Sequence, residues 1–185
     1  KHRFTGLFGF TQTYNTVASE YMETADFDIE TAGYEGLHYG QNPNRPVVDM
    51  KKKVMKSYIG RVNYNLGDTY NFTVSMRADG SSVFVKNQWG YFPAAAFGWN
   101  IHKETFMENA EAISNMKLRM SYGQTGNAGV PFYASTSVYQ DAFYVLGTSP
   151  TAVTGVANSN IADRDLRWEF TDQFDIGFEL GLFDD

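Results

Sequence analysis

In a 185-residue chain with no cysteine, any chemistry must come from histidines, carboxylates, hydroxyls and cations. His2, His38 and His102 lie too far apart to form a metal-binding motif, and a solitary histidine in a loop is ordinarily a solvated residue. Two acidic groups are closer together: Asp26, Asp28 and Glu30, then Asp163 and Asp165. Neither reproduces the calcium loop of an EF-hand, so both read as solvated loop carboxylates before a cation site. There is no P-loop, dinucleotide fingerprint or nucleophile elbow. The sequence therefore predicts no catalytic residue, no metal site and no cofactor, and the protein is not read as an enzyme. The charges that most need a structural explanation are Arg61, Arg77, Asp79, Arg119, Asp175 and Glu179, because each falls inside an alternating segment.

The clearest such segment runs from Tyr70 to Asp79. Tyr70, Phe72, Val74, Met76 and Ala78 alternate with Asn71, Thr73, Ser75, Arg77 and Asp79, a period of two that puts apolar groups on one strand face and polar groups on the other. Val62, Tyr64 and Leu66 precede it in the same phase, and Gly67-Asp68 between the runs reads as a hairpin turn. Trp89 to Ile101, Met116 to Gly123 and Trp168 to Leu182 repeat the pattern, with Pro93 expected to disturb its ladder and Asp172 interrupting an apolar face. Residues 3–13 form a weaker candidate. About six strands result, most of about ten residues, the length that crosses a bilayer at a barrel's tilt. Tyr64, Tyr70 and Trp99 fall near one set of strand ends, and Trp89, Tyr91 and Trp168 near the other, as two interfacial aromatic belts would. The pattern predicts a membrane-spanning antiparallel β-barrel segment, with a soluble β domain as the alternative, because a sheet with one face in water alternates in the same way.

Composition narrows the classes. Aromatic residues make up 16% of the chain and glycine contributes 17 residues, a balance suited to strands and turns. Hydrophobic residues reach 43%, yet no run approaches the roughly 20 apolar residues of a membrane helix. A formal charge of −6, with Lys51-Lys52-Lys53 as the basic run, argues against nucleic-acid binding. Lys1-His2-Arg3-Phe4 lacks a signal peptide's apolar stretch, so the chain reads as mature or as an internal piece. Residues 15–52 and 125–167 are long, weakly periodic connections. Segment 102–115 holds a candidate capping box from Thr105 to Glu108 and reads as a rim segment with a short helix.

Five stretches carry a family resemblance: Gly60-Arg61-Val62-Asn63-Tyr64-Asn65; Ser75 through Asp79-Gly80-Ser81-Ser82-Val83-Phe84; Trp89 through Trp99; Leu118 through Gly126-Asn127; and Asp165-Leu166-Arg167-Trp168-Glu169 with Asp175 to Glu179. In order and spacing they resemble the SusC/RagA-like branch of TonB-dependent outer-membrane transporters. The resemblance implies that the chain is a fragment of the C-terminal barrel region of a longer protein, about six strands of a larger barrel, 22-stranded as is usual in that family, in the cell outer membrane. It implies external loops at 15–52 and 125–167 and a periplasmic rim at 102–115. Energy-coupled import of an oligosaccharide or peptide would follow, with a SusD-like surface lipoprotein, the TonB complex (through a plug region) and outer-membrane lipid as partners. On this reading Arg61, Arg77, Asp79, Arg119, Asp175 and Glu179 face the lumen or plug. Tyr34, Tyr39, Tyr133, Tyr139 and Tyr144 are candidate loop contacts to nutrient or partner, and shortening 128–162, read as part of a mobile cover, is expected to spare assembly while impairing uptake or lipoprotein docking. A non-transporting surface adhesion or structural barrel, or a soluble carbohydrate-binding β domain, is the alternative function.

Overall fold

Period-two alternation does build strands here, several running longer than the pattern alone predicts and two, Trp89–Asn100 and Glu169–Leu182, one residue shorter. The computed structural model describes the whole chain except residues 29, 111, 146, 148–150 and 184–185. The strands are β1 (His2–Tyr21), β2 (Thr24–Ala25), β3 (Asn42–Pro43), β4 (Val47–Leu66), β5 (Tyr70–Ser81), β6 (Trp89–Asn100), β7 (Ile113–Asn127), β8 (Tyr139–Val145), β9 (Ala152–Asn158) and β10 (Glu169–Leu182). The chain divides into two compact units, residues 14–53 and the remainder, and β1 and β4 run through both.

Among the described residues the main sheet has six strands in the order β1-β4-β5-β6-β7-β10. Antiparallel registers join β4 to β5, β5 to β6, β6 to β7 and β7 to β10. The β4–β5 turn has Gly67 at φ 63° and Asp68 at φ 60°, the left-handed pair that matches the twist of a tight hairpin. Thr69 N–H closes it onto the Leu66 carbonyl at 3.1 Å, and the Asp68 N–H donates to Asn65 Oδ1 at 3.2 Å. Pro93 pairs with Met76 without a register shift, and pairing of β6 with β7 begins one residue later at Ala94. The missing N–H is thus tolerated where that ladder ends.

Two expectations require correction. The sheet does not close: β1 and β10 are its two ends and each has a single strand neighbour, so the fold is an open antiparallel sheet and not a membrane-spanning β-barrel. In lipid an open sheet leaves the backbone groups along its two edge strands unsatisfied, so the transmembrane-strand reading and the cell outer membrane placement do not fit the sheet described. Separately, no helix among the described residues is long and apolar enough to cross a membrane. Segment 102–115 also differs from expectation. It forms two short 3-10 turns, Ile101–Lys103 and Thr105–Met107, neither with a side-chain cap, before β7 starts at Ile113.

The register sorts side chains as the alternation requires. Phe72, Val74, Met76, Phe174, Ile176 and Phe178 lie on one face and stay exposed. Asp172, the polar interruption of that face, accepts hydrogen bonds from the Tyr122 hydroxyl at 2.7 Å and Gln124 Nε2 at 3.0 Å. That bond, with the nearby negative charge, raises the Tyr122 pKa above its ordinary value. The buried core sits elsewhere, at the end of the sheet where β5 leads into β6, and consists of Val83, Phe84, Phe92, Ala128 and Trp168. Trp168, expected in an aromatic belt, is only 5% exposed and belongs to this core.

In the unit of residues 14–53, β2 pairs with β3, and two 3-10 turns over Glu30–Tyr39 meet at a kink at Gly33 (φ 55°). Asn44 Nδ2 donates to Glu23 at 3.2 Å, and Asn42 Nδ2 donates to Asp26.

Candidate functional site

The polar face of the main sheet assembles by register alone. In an antiparallel ladder, directly opposed residues share a face, so the row Arg61, Ser75, Ala94, Gly123 and Gln173 lies on one side, with Asn63, Thr73, Ala96, Ser121 and Asp175 in the next row. Small residues in β6 and β7 leave a shallow floor between the longer side chains of the flanking strands. Two cavities result. One of about 460 Å³ is lined by Asn71, Thr73, Lys117, Arg119 and Asp175 among others, and one of about 280 Å³ by Arg61, Ser75, Ser121 and Gln173 among others.

All six charged candidates stand on this face, in different states. Arg77 Nε donates to both carboxylate oxygens of Asp79 at 2.8 Å, and Arg77 also reaches Ser57 Oγ at 3.4 Å. The Asp79 side chain is 9% exposed and Arg77 49%, so the carboxylate is the buried partner. Arg119 lies over Gly177 and meets Glu179 at 2.7 Å. Asp175 accepts from Gln173 Nε2 at 3.1 Å. Arg61 lines the smaller cavity together with Asp175. Direct pairs also cross the ladder, with Thr73 Oγ1 donating to Asn63 at 2.9 Å and Asn65 Nδ2 to Asn71 at 2.7 Å.

At the opposite end from the core, Glu104 gathers the rim. It accepts from the Tyr70 hydroxyl and from Trp99 Nε1 at 2.9 Å, with the Tyr70 and Trp99 rings stacked 6.2 Å apart. The hydrogen bond to Glu104, with partial burial and the nearby charge, raises the Tyr70 pKa.

The long connection after β7 contains structure that the sequence pattern did not disclose. Trp168 packs against Phe84 and Phe92 at 5.5 and 5.4 Å, and its indole N–H donates to the Gln88 carbonyl at 3.0 Å. Gly90 and Gly126 admit these rings, since a Cβ at either would overlap Phe92. Ser135, 2% exposed, donates its hydroxyl to the Val83 carbonyl. Lys86 meets Asp165 at 2.8 Å and holds that carboxyl below the ordinary carboxylate value. Two features of the sequence could have disclosed it: Phe92 is an aromatic in the polar phase of its strand, and it sits two residues from Gly90.

Tyr133 has φ 60° and lies beside the core-bound part of the long connection, while Tyr139 and Tyr144 are 64% and 70% exposed on β8. Tyr39 tilts against His38 at 3.9 Å in the other unit, and the Tyr34 side chain lies outside the described residues. Glu30's side chain is likewise outside them, and no group of three or more His, Asp or Glu among the described residues is placed to hold a metal ion. His2 bonds the Tyr64 hydroxyl at 2.8 Å, and His102 Nδ1 accepts the Met116 N–H at 3.3 Å.

The model of the family "TonB dependent receptor-like, beta-barrel" matches residues 2–185. The chain is 33% identical over 99% of its length to TonB-dependent receptor P3 of Formosa agariphila, and 34% identical over 71% of its length to TonB-dependent receptor SusC of Bacteroides thetaiotaomicron. It spans 18% and 13% of those proteins. Its fold is similar to the RagAB peptide transporter, with a TM-score of 0.72 at 21% identity, covering 99% of this chain and 23% of that one.

Proposed function

Because the chain belongs to the TonB-dependent receptor-like family, a transport family and not a catalytic one, we propose that it serves energy-coupled uptake of a nutrient. In this reading the sheet is a scaffold, and the long segments at 15–52 and 125–167 contact an oligosaccharide or a peptide. The family match over residues 2–185 carries the proposal. The two-faced sheet supports it, because a polar face with paired charges and small residues suits docking of another polar surface. The relatives' names, TonB-dependent receptor P3 and SusC, support a TonB complex as the energy source; a SusD-like lipoprotein beside the long segments completes the proposal and rests on the sequence resemblance.

The open sheet favours a second reading. It encloses no passage of its own, so the chain would act as a structural or adhesive surface, or as a carbohydrate-binding β domain, with no transport cycle. The two readings separate in cells carrying the full-length gene. Labelled oligosaccharide and peptide mixtures should accumulate with the gene present and TonB active, and fail to accumulate when either is removed. Binding that persists without accumulation, and that is indifferent to TonB, would favour the second reading.

A further inference from the structure

We infer that residues 128–138 and 159–168 form a fixed collar on the sheet, and that the paired strands β8 and β9 beyond them move together as a paddle on a neck closed by Asn160. The inference holds whatever the protein imports.

The collar has the marks of a stable unit. Trp168, Phe84, Phe92 and Ala128 are buried together, Val130 and Leu166 pack on them, and the Ser135 hydroxyl reaches the turn after β5. Asn87 Nδ2 adds bonds to the Asp165 and Leu166 carbonyls at 3.3 and 3.5 Å. The two collar strands of chain also hold each other, through Asp163 N–H to the Ala134 carbonyl at 3.2 Å. Opening the collar would therefore expose aromatic surface and break several polar contacts at once.

Among the described residues the Asn160 side chain closes the neck. Asn160 Nδ2 donates to the carbonyls of Tyr133 and Thr136 at 3.3 and 3.0 Å, its Oδ1 accepts the Val138 N–H at 2.8 Å, and Ser159 N–H donates to the Val138 carbonyl at 2.7 Å. Beyond it, β8 and β9 pair with each other from Tyr139↔Asn158 to Val145↔Ala152 and form a separate two-stranded sheet. Every residue of β9 is exposed, as is every residue of β8 except Ala142. An isolated two-stranded hairpin is marginally stable, and segments with few buried contacts open locally before the rest of a domain. The difference divides the candidate contacts: Tyr139 and Tyr144 ride on the paddle, whereas Tyr133 stays with the collar.

Hydrogen exchange on the full-length protein tests this. In the wild type, amides of β8 and β9 should exchange at least tenfold faster than those of residues 132–138. Asn160→Ala should speed exchange at Val138 and in the hairpin while leaving β5, β6 and Trp168 burial, read by its fluorescence, unchanged. Trp168→Phe should release 128–138 as well, with β5 still protected. Exchange of hairpin and collar at one common rate in the wild type would overturn the inference. So would an Asn160→Ala variant whose collar core opens together with the hairpin.

Discussion

At the scale of single residues, the polar face separates charges that hold the fold from charges that decorate it. The Asp79 carboxylate is nearly buried and fully engaged by Arg77, so Asp79→Ala leaves a guanidinium without its partner and should cost about 1–3 kcal/mol. Glu179 and Arg119 are 39% and 56% exposed, and water replaces their contact readily, so Glu179→Ala should cost under about 1 kcal/mol. Chemical denaturation of the two variants checks the order; equal costs would contradict it. Tyr70 provides a pH signature. Its pKa is raised above 10.0 chiefly by the bond to Glu104, so its contribution to rim stability is complete below 10.0 and is lost as pH rises through the raised value. Glu104→Gln should bring the Tyr70 phenolate transition, followed by ultraviolet absorbance, back towards its ordinary position.

At the scale of elements, the strands were readable because a half-exposed sheet leaves a period-two trace, and the paired charges Arg77–Asp79 and Arg119–Glu179 fell on the face the period assigned them. The core was not readable in that way. Val83, Phe84, Ser135 and Trp168 come from irregular chain, where no period connects residues more than 80 positions apart such as Phe84 and Trp168. The same limit affects the expectation that shortening 128–162 spares assembly, since that range includes Ala128, Val130 and Ser135, all of which pack or bond at the core. Replacing only the Tyr139–Asn158 hairpin with a short glycine turn should leave the denaturation midpoint nearly unchanged, whereas deleting 128–162 should abolish the cooperative transition. Gly126 is a sharper probe of the same packing. Gly126→Ala forces a methyl into the Phe92 ring and should cost about 1–3 kcal/mol, while Gly60→Ala enters open space and should change stability by under about 1 kcal/mol.

At the scale of the whole molecule, the 185-residue chain leaves a broad apolar face exposed, with Phe72 at 41%, Val74 at 61%, Phe174 at 66% and Ile176 at 63%. Exposed apolar area of this extent, beside sheet ends with one strand neighbour each, favours association. The chain expressed alone should therefore sediment as large assemblies in plain buffer. Recovery of a dilute, monomeric species would contradict that expectation. If the sheet is a scaffold, the hairpin should take part in uptake while the collar and strands keep it in place. The most direct measurement is uptake of labelled nutrient by cells whose full-length protein lacks only the Tyr139–Asn158 hairpin, taken beside the abundance of the folded protein. The account predicts normal abundance with uptake reduced several-fold; wild-type uptake at normal abundance would contradict it.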